Sequence, residues 1–253
     1  MGADLWAAMA TRLKFRSPSG GRLPHSDVQT PGDPKDHEKL LFVWASLIGG
    51  NSRVEMTVAI TGGSGAVYPY RFLNHLAAEP AVSRIYVVAS SSGIRVLNEE
   101  LELRSLTLNN LAEKIVESGR EKIEVLNNND IGAKIASGSF PVDAMVVIPC
   151  TMGTLGAIAN GVSRDLIQRA ADVTLKERRK LLLVIRDTPF NLIHIENMRL
   201  VTLAGGVIFP AVPSFYHRPA SINDAIDQFL YRIMLQLGLQ PSKAYRWQGS
   251  KVE

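Results

Sequence analysis

From Val54 onward, short apolar runs alternate with stretches of helical period: Thr57–Ile60, Ile85–Ala89, Ala144–Ile148, Leu181–Ile185 and Val207–Phe209. Each run is almost continuously apolar and rich in β-branched residues, as parallel strands covered on both faces require; a strand with one wet face would alternate instead. Strands alternating with helices define βαβ units and predict an α/β protein with a doubly wound, mainly parallel sheet, built as a single domain over residues 54–249. The clearest helix starts at Ser221, where Ser221 and Asp224 have the spacing of a capping box. Ile222, Ala225, Ile226, Phe229, Leu230, Ile233, Met234 and Leu237 then keep helical spacing, and Gly238 is a natural stop. Arg232 falls at the edge of that apolar stripe. It is thus anchored by the core, with its guanidinium free to reach a cleft.

Residues 17–39 break this texture with four prolines, three glycines and many polar side chains. That is loop composition without the period of a packed element. Residues 1–53 therefore read as an irregular extension, flexible or partly helical, and residues 250–253 as a tail. Met56 stands just before the first strand, so residues 1–55 are either a genuine tail or the product of an upstream start. No internal repeat is visible.

Composition changes the picture little but excludes much. The 253 residues are 46% hydrophobic and 21% charged, ordinary for a globular chain and unlike disordered, collagenous or disulfide-framework proteins. The net charge is +4, yet Lys and Arg are mixed with acidic residues along the chain. They form no basic stripe with interleaved aromatics, so nucleic acid is not an expected partner. Residues 1–55 hold seven Lys/Arg against six Asp/Glu, and the rest hold 21 against 18, which puts most of the excess in the sheet-forming part. Cys150 is the single cysteine, so no intrachain disulfide forms. No apolar run approaches the roughly 20 residues of a membrane span; near the N-terminus the longest is Leu40–Ile48. The first 20 residues lack a secretory pattern, so the expected location is the cytoplasm, with organelle targeting through the extension as the lesser alternative.

The polar residues at the strand ends carry the chemistry. The first strand runs into Thr61-Gly62-Gly63-Ser64-Gly65-Ala66, a glycine-rich turn ahead of a helix whose backbone N–H groups can face an anion. It matches neither the G-x-G-x-x-G fingerprint nor a Walker loop. The second strand ends in Ser90-Ser91-Ser92-Gly93 and the third in Pro149-Cys150-Thr151-Met152-Gly153-Thr154. Carboxyl ends of strands form the ligand crevice of a doubly wound sheet. Each of these ends is also explained as an ordinary N-cap, but three together suggest a phosphorylated planar cofactor. Arg186-Asp187-Thr188-Pro189 closes a further strand, where Asp187 is either an acid/base or a salt-bridged cap. Arg186, Lys176, Tyr216 and Arg232 are candidates for a second anion site, each otherwise a solvated surface group. His75, His194 and His217 show no metal-ligand spacing, and no metal site is expected.

Taken together, Gly62 through Tyr68, Pro149-Cys150-Thr151, Arg169 through Arg179, Arg186 through Pro189, Phe215 through Pro219 and the closing Arg246-Trp247-Gln248-Gly249 resemble the UbiX-type flavin prenyltransferases. The resemblance runs in order from about Val54 to Gly249 and leaves the first 53 residues outside. It implies a flavodoxin-like, Rossmann-type subunit in a homo-oligomer, a trimer-based dodecamer. It implies an enzyme that joins the dimethylallyl group of dimethylallyl phosphate to N5 and C6 of reduced FMN. The product, prenylated FMN, serves a UbiD-type decarboxylase, as in ubiquinone biosynthesis. Carried over by residue, Gly62, Gly63, Ser64, Ser90, Thr151, Met152, Gly153, Thr154 and Arg169 hold FMN. Lys176, Arg186, Tyr216 and Arg232 hold the prenyl phosphate, and Ser64 and Asp187 are the candidates for relaying the proton lost on ring closure. Fixed cations and a phenol suit a reaction that builds charge on a departing phosphate, with no metal required.

The chain departs from the family pattern in places. Asp187 stands where Glu is common and reaches one methylene less far. Gly63 and Pro69 replace Ala and Gly, and Thr151 replaces Ser with its hydroxyl kept. Two other functions compete. One is an FMN-dependent decarboxylase of the same superfamily, with His75 standing in for its catalytic histidine, although residues 149–154 do not match that group's Pro-Ala-Ser-Ala-Asn-Thr segment. The other is a non-catalytic flavin carrier for the decarboxylase.

Overall fold

The computed structural model describes residues 53–249; the extension before Arg53 and the tail 250–253 lie outside the described residues. Six strands form one parallel sheet: β1 (Val54–Ile60), β2 (Val82–Ala89), β3 (Ile123–Asn127), β4 (Ala144–Cys150), β5 (Lys180–Ile185) and β6 (Val207–Ile208). Their order is β3-β2-β1-β4-β5-β6. The helices are α1 (Val67–Ala78), α2 (Ser91–Glu100), α3 (Leu111–Ile115), α4 (Met152–Ala159), α5 (Leu166–Lys176), α6 (Leu192–Leu203) and α7 (Ile222–Leu237). The expected doubly wound sheet is therefore present, with every adjacent pair parallel.

Alternation along β1 shows how the sheet is covered. Met56, Val58 and Ile60 pack with Phe72, Leu73 and Leu76 of α1 and Phe229, Leu230 and Ile233 of α7. Ala59 faces the other way, with Leu155 of α4, Ile167 and Ala171 of α5 and Val201 of α6. Side chains of period two thus feed two separate apolar layers, which is why the strands read as unbroken apolar runs. The strand missed by periodicity is β3. It is an edge strand whose residues are half-buried or exposed, so its sequence, Ile-Glu-Val-Leu-Asn, carries no continuous apolar signal.

The helix read from Ser221 has the expected ends. Ser221 accepts a hydrogen bond from the Asp224 N–H, Asp224 accepts one from the Ala220 N–H, and Gly238 closes the helix at φ 93°. The strand order reverses direction between β1 and β4, and the crevice at their carboxyl ends is where sheets of this kind bind ligands.

Candidate functional site

Thr61 ties the two sides of that crevice together. Its hydroxyl donates to the Pro149 carbonyl at 2.7 Å and accepts from the Thr151 N–H at 3.0 Å. The Ser90 N–H donates to the Ile60 carbonyl at 3.0 Å, which fixes the end of β2 beside the end of β1. The carboxyl ends of β1, β2 and β4 are thus a connected polar rim from which α1, α2 and α4 depart.

Two of these helix starts are capped by their own hydroxyls. Ser90 accepts from the Gly93 N–H at 3.0 Å and lies 3.0 Å from the Ser92 hydroxyl. Thr151 accepts from the Thr154 N–H at 3.2 Å and contacts the Thr154 hydroxyl at 2.9 Å. The N-cap alternative for Ser90 and Thr151 is therefore realised. It leaves the N–H groups of Ser91, Ser92, Met152 and Gly153 without intrahelical acceptors, facing the crevice at the positive ends of two helices. Gly63 is buried, and a Cβ on it would lie 3.4 Å from Pro149. A Cβ on Gly153 would meet nothing within 4 Å, so space stands open against that helix end.

The glycine turn ahead of α1 behaves differently and corrects the sequence reading of a turn left free for an anion. Its N–H groups at Gly65 and Ala66 both donate to the Glu100 carboxylate, at 2.8 and 2.7 Å. Glu100 is the last residue of α2, 35 positions away. Burial raises the pKa of its carboxyl, but the Ala66 N–H, the Ser64 hydroxyl, the Gly65 N–H and the field of Arg186 outweigh that, and it lies below the ordinary carboxylate range. Nothing in the sequence marks Glu100; as the second of two glutamates ending an amphipathic helix it reads as solvated surface.

Arg186 follows β5 directly and is exposed. Its charge acts on Glu100 and on Tyr68. Burial raises the Tyr68 phenol above its usual range, and Arg186 opposes that. Ser64, Glu100, Arg186 and Tyr68 therefore form one neighbourhood. Asp187 turns back on its own loop and accepts from the Thr188 N–H at 2.9 Å. Beyond Tyr68 lies an apolar cleft of about 530 Å³, lined by Tyr68, Pro213, Phe215, Pro219, Ile222 and Ile226 among others. Segment 209–211 runs beside β5, with the Ala211 N–H bonded to the Ile185 carbonyl. The loop carrying Tyr216 therefore leaves from the same edge of the sheet. Tyr216 is 54% exposed and packs against Tyr245 and Trp247.

Three expected site residues are not brought to this neighbourhood within one chain. Lys176 ends α5 and pairs with Glu177, four residues before β5 begins, at the amino ends of the strands and so opposite the crevice. From Lys180 to Arg186 the strand spans roughly 20 Å at 3.3 Å per residue. Arg232 lies in the half of α7 near those amino ends, where the Gln236 carbonyl accepts from Lys180. Arg169 is committed to Asp172 at 2.9 Å and to the Ala136 carbonyl. His75, the stand-in for a decarboxylase histidine, sits in the last turn of α1 and bonds Asp227 at 2.8 Å, away from the crevice. Cys150 is fully buried, and burial pushes its thiol well up, which suits packing rather than nucleophilic attack. Among the described residues there is no cluster of metal-ligating groups.

The rim fits a flavin mononucleotide on its own chemistry, with two free helix ends, several hydroxyls and open space at Gly153. Residues 49–213 match the flavoprotein family. The chain is 39% identical over 194 residues to flavin prenyltransferase UbiX of Methanocaldococcus jannaschii, covering 77% of this chain and 98% of that one. It is 41% identical over 196 residues to the mitochondrial flavin prenyltransferase PAD1 of Saccharomyces cerevisiae, covering 78% of this chain and 76% of the yeast protein. Among solved structures, AnUbiX (PadA1) in complex with FMN and dimethylallyl pyrophosphate superposes with a TM-score of 0.70 at 40% identity, covering 79% of this chain and all of that one. A dodecameric FMN-dependent UbiX-like decarboxylase from Escherichia coli O157:H7 gives 0.68 at 36% identity, covering 78% and 100%. Its family is therefore settled by sequence and fold alike: the chain belongs to the flavoproteins and, within them, to the UbiX-type flavin prenyltransferases.

Proposed function

We propose that this protein transfers the dimethylallyl group of dimethylallyl phosphate to N5 and C6 of reduced FMN. The observation that carries the reading is the neighbourhood of Ser64, Glu100 and Arg186 beside a rim of free helix N-termini and an apolar cleft. Such a site offers a place for a flavin phosphate, a cation for a second phosphate and apolar walls for a short alkyl chain. Gly62, Gly63, Ser64, Ser90, Thr151, Met152, Gly153 and Thr154 line the rim and would hold FMN. Reduced FMN, when bound, supplies the nucleophilic carbon and nitrogen.

The residues of the chain do the rest. As the allylic C–O bond breaks, its electron pair leaves with the phosphate, and Arg186 stabilises the charge that grows there, with Tyr216 as a hydrogen-bond donor. The second bond uses up the prenyl double bond, whose middle carbon takes up a proton while the flavin carbon gives one up, so ring closure needs a group that carries a proton between them. Ser64 passes the flavin's proton to Glu100, whose carboxylate is ionised at neutral pH and is held in that form partly by the neighbouring Ser64 hydroxyl. Asp187, turned to its own backbone, is the lesser candidate.

Lys176, Arg232 and Arg169 join the site from other copies of the chain. α6 presents Leu192, Ile193, Ile195 and Leu203 to solvent, with Phe190 ahead of it, an apolar face of the kind that marks an interaction surface. A trimer-based dodecamer would cover it and bring these cations of one copy to the crevice of another. The product would pass to a UbiD-type decarboxylase. No helix of the described residues is long and apolar enough to cross a membrane. We place the enzyme in the cytoplasm; the mitochondrial name of the yeast relative is what favours organelle targeting through residues 1–53.

The test is anaerobic incubation with reduced FMN and dimethylallyl phosphate, followed by mass and absorption spectra of the extracted flavin. A flavin heavier by one five-carbon unit is expected. Bound FMN that stays unmodified, with both the monophosphate and the pyrophosphate donor, would falsify the reading.

A further inference from the structure

The apolar cleft beside Tyr68 lies between the first turn of α1 and the first two turns of α7, whose Ile222, Ala225 and Ile226 form its opposite wall. Directly behind it the two helices are tied together. Arg71, one turn after Tyr68, grips Asp227, the residue after Ile226, through both branches of its guanidinium, at 2.6 and 2.5 Å. His75, one turn further along α1, reaches the same carboxylate at 2.8 Å and packs against Tyr231 in a tilted contact with ring centroids 4.9 Å apart. Among the described residues these are the polar contacts that join α1 to α7; the two helices also share the apolar layer under the sheet, and Tyr68 and Phe229 meet edge to face at 5.5 Å.

The chemistry of this cluster makes it rigid. Burial raises the Asp227 carboxyl, but Arg71 and His75 more than compensate and hold it below its ordinary range, so it is an ionised acceptor at neutral pH. His75 Nε2 must therefore carry a hydrogen and donate it. Asp227 and Arg71 are 17% and 27% exposed. A bidentate pair so placed loses little freedom by forming and fixes both the distance and the roll of the helices. The cleft it backs has mainly apolar side chains along its walls, and the charge of Arg186 acts on Tyr68 at its margin, which is the complement of an alkyl phosphate.

Resting on the prenyl-transfer reading, we propose that this cleft receives the alkyl chain of the donor and that Asp227, held by Arg71 and His75, is a positioning residue that sets its width. The clamp fixes the gap between Tyr68 and the wall formed by Ile222, Ala225 and Ile226, and thereby the length of chain the enzyme takes. Asp227 touches neither substrate nor flavin and acts only through the placement of the two helices.

The experiment is competition between dimethylallyl phosphate and geranyl phosphate at equal concentration, with FMN-loaded protein and the two flavin adducts quantified by mass. In Asp227→Asn, which keeps the shape and removes the charge, the ratio of ten-carbon to five-carbon adduct should rise about tenfold, the scale on which pockets discriminate by a methylene. The FMN dissociation constant should stay within about twofold, since coupling over such distances is weak. If Asp227→Asn does not fold, Arg71→Lys, which keeps the charge and loses the fork, should move the ratio in the same direction. A ratio equal to wild type, whether or not both rates fall, would show that the clamp is merely structural and overturn the proposal. Absence of any adduct from the wild type would instead defeat the prenyl-transfer reading on which it rests.

Discussion

The starts of α1 and α4 sit over the ends of neighbouring strands, β1 and β4, and each follows a short turn of glycine and hydroxyl residues. They are nevertheless completed in opposite ways. At α4 the cap is local: Thr151 supplies the oxygen, and the N–H groups of Met152 and Gly153 remain for something else. At α1 there is no side-chain cap from the preceding residue, and a carboxylate from the far end of α2 occupies the Gly65 and Ala66 N–H groups. A locally capped helix start keeps its electrostatic pull for a ligand. A start capped by a distant carboxylate instead builds a charged group into the crevice, next to the Ser64 hydroxyl and within the field of Arg186. One end binds, and the other holds a proton acceptor in place.

The largest effect that would break this contrast is expected at Glu100. In Glu100→Gln an acceptor oxygen remains for the N–H groups, so the cap persists, but the carboxylate that takes the proton is gone. Single-turnover prenylation should slow by about 10²–10⁴-fold, the usual worth of a general base, while the thermal midpoint moves little. A turnover within about threefold of wild type would mean that Glu100 is only a cap and that both helix starts are structural. The acid side gives a second reading. Because the folded carboxyl lies below the ordinary glutamate range, its contribution to stability is fully present above that range. It is lost as pH falls through the lower folded pKa. Glu100→Gln should flatten that part of the stability profile, as followed by chemical denaturation at stepped pH.

A second comparison isolates geometry from charge. Gly93 lies in the first turn of α2, and a Cβ there would stand 2.6 Å from the Ile60 carbonyl oxygen. The oxygen belongs to the backbone and the Cβ is fixed rigidly to it, so neither can swing aside. Glycine to alanine in a helix ordinarily stabilises, yet Gly93→Ala should cost about 1–3 kcal/mol by overpacking, measured by urea unfolding. A neutral result would mean that α2 can slide along β1, and that the Glu100 cap at its other end is not fixed in place by packing.

Much of this arrangement was legible in the chain. The apolar runs of β1, β2, β4 and β5 are visible because helices cover both faces of the sheet, and α7 is visible because its caps and its stripe agree. β3 was illegible because an edge strand with no fully buried residue needs no apolar run. The crevice hydroxyls Ser64, Ser90 and Thr151 could be read because they lie within a few residues of the strand ends that aim them. Glu100 could not, since its role exists only through a contact 35 positions away, and Thr61 could be read only as the start of the glycine turn because its partners are Pro149 at the end of β4 and Thr151 just after it. Lys176 and Arg232 show the reverse limit. The family pattern names them for the phosphate, but topology places them toward the opposite ends of the strands from Arg186. The resemblance marks residues of one site without saying how many copies of the chain build it.

The finest test of the contrast lies in the first turn of α4, where glycine is free rather than confined. A Cβ on Gly153 meets no atom within 4 Å, and its backbone has no positive φ. Gly153→Ala should therefore stabilise the flavin-free protein by about 0.4–1 kcal/mol, chiefly by restricting the unfolded chain. If the open space at this helix end is where FMN sits, the same methyl group intrudes on it. FMN affinity, followed by quenching of flavin fluorescence, should then weaken by about three- to tenfold, or roughly 0.7–1.4 kcal/mol. Opposite signs for stability and flavin binding would separate this helix start from that of α2, where packing alone forbids the methyl group. Unchanged affinity would place the flavin phosphate elsewhere on the rim and leave the Ser91 and Ser92 N–H groups as its remaining donors.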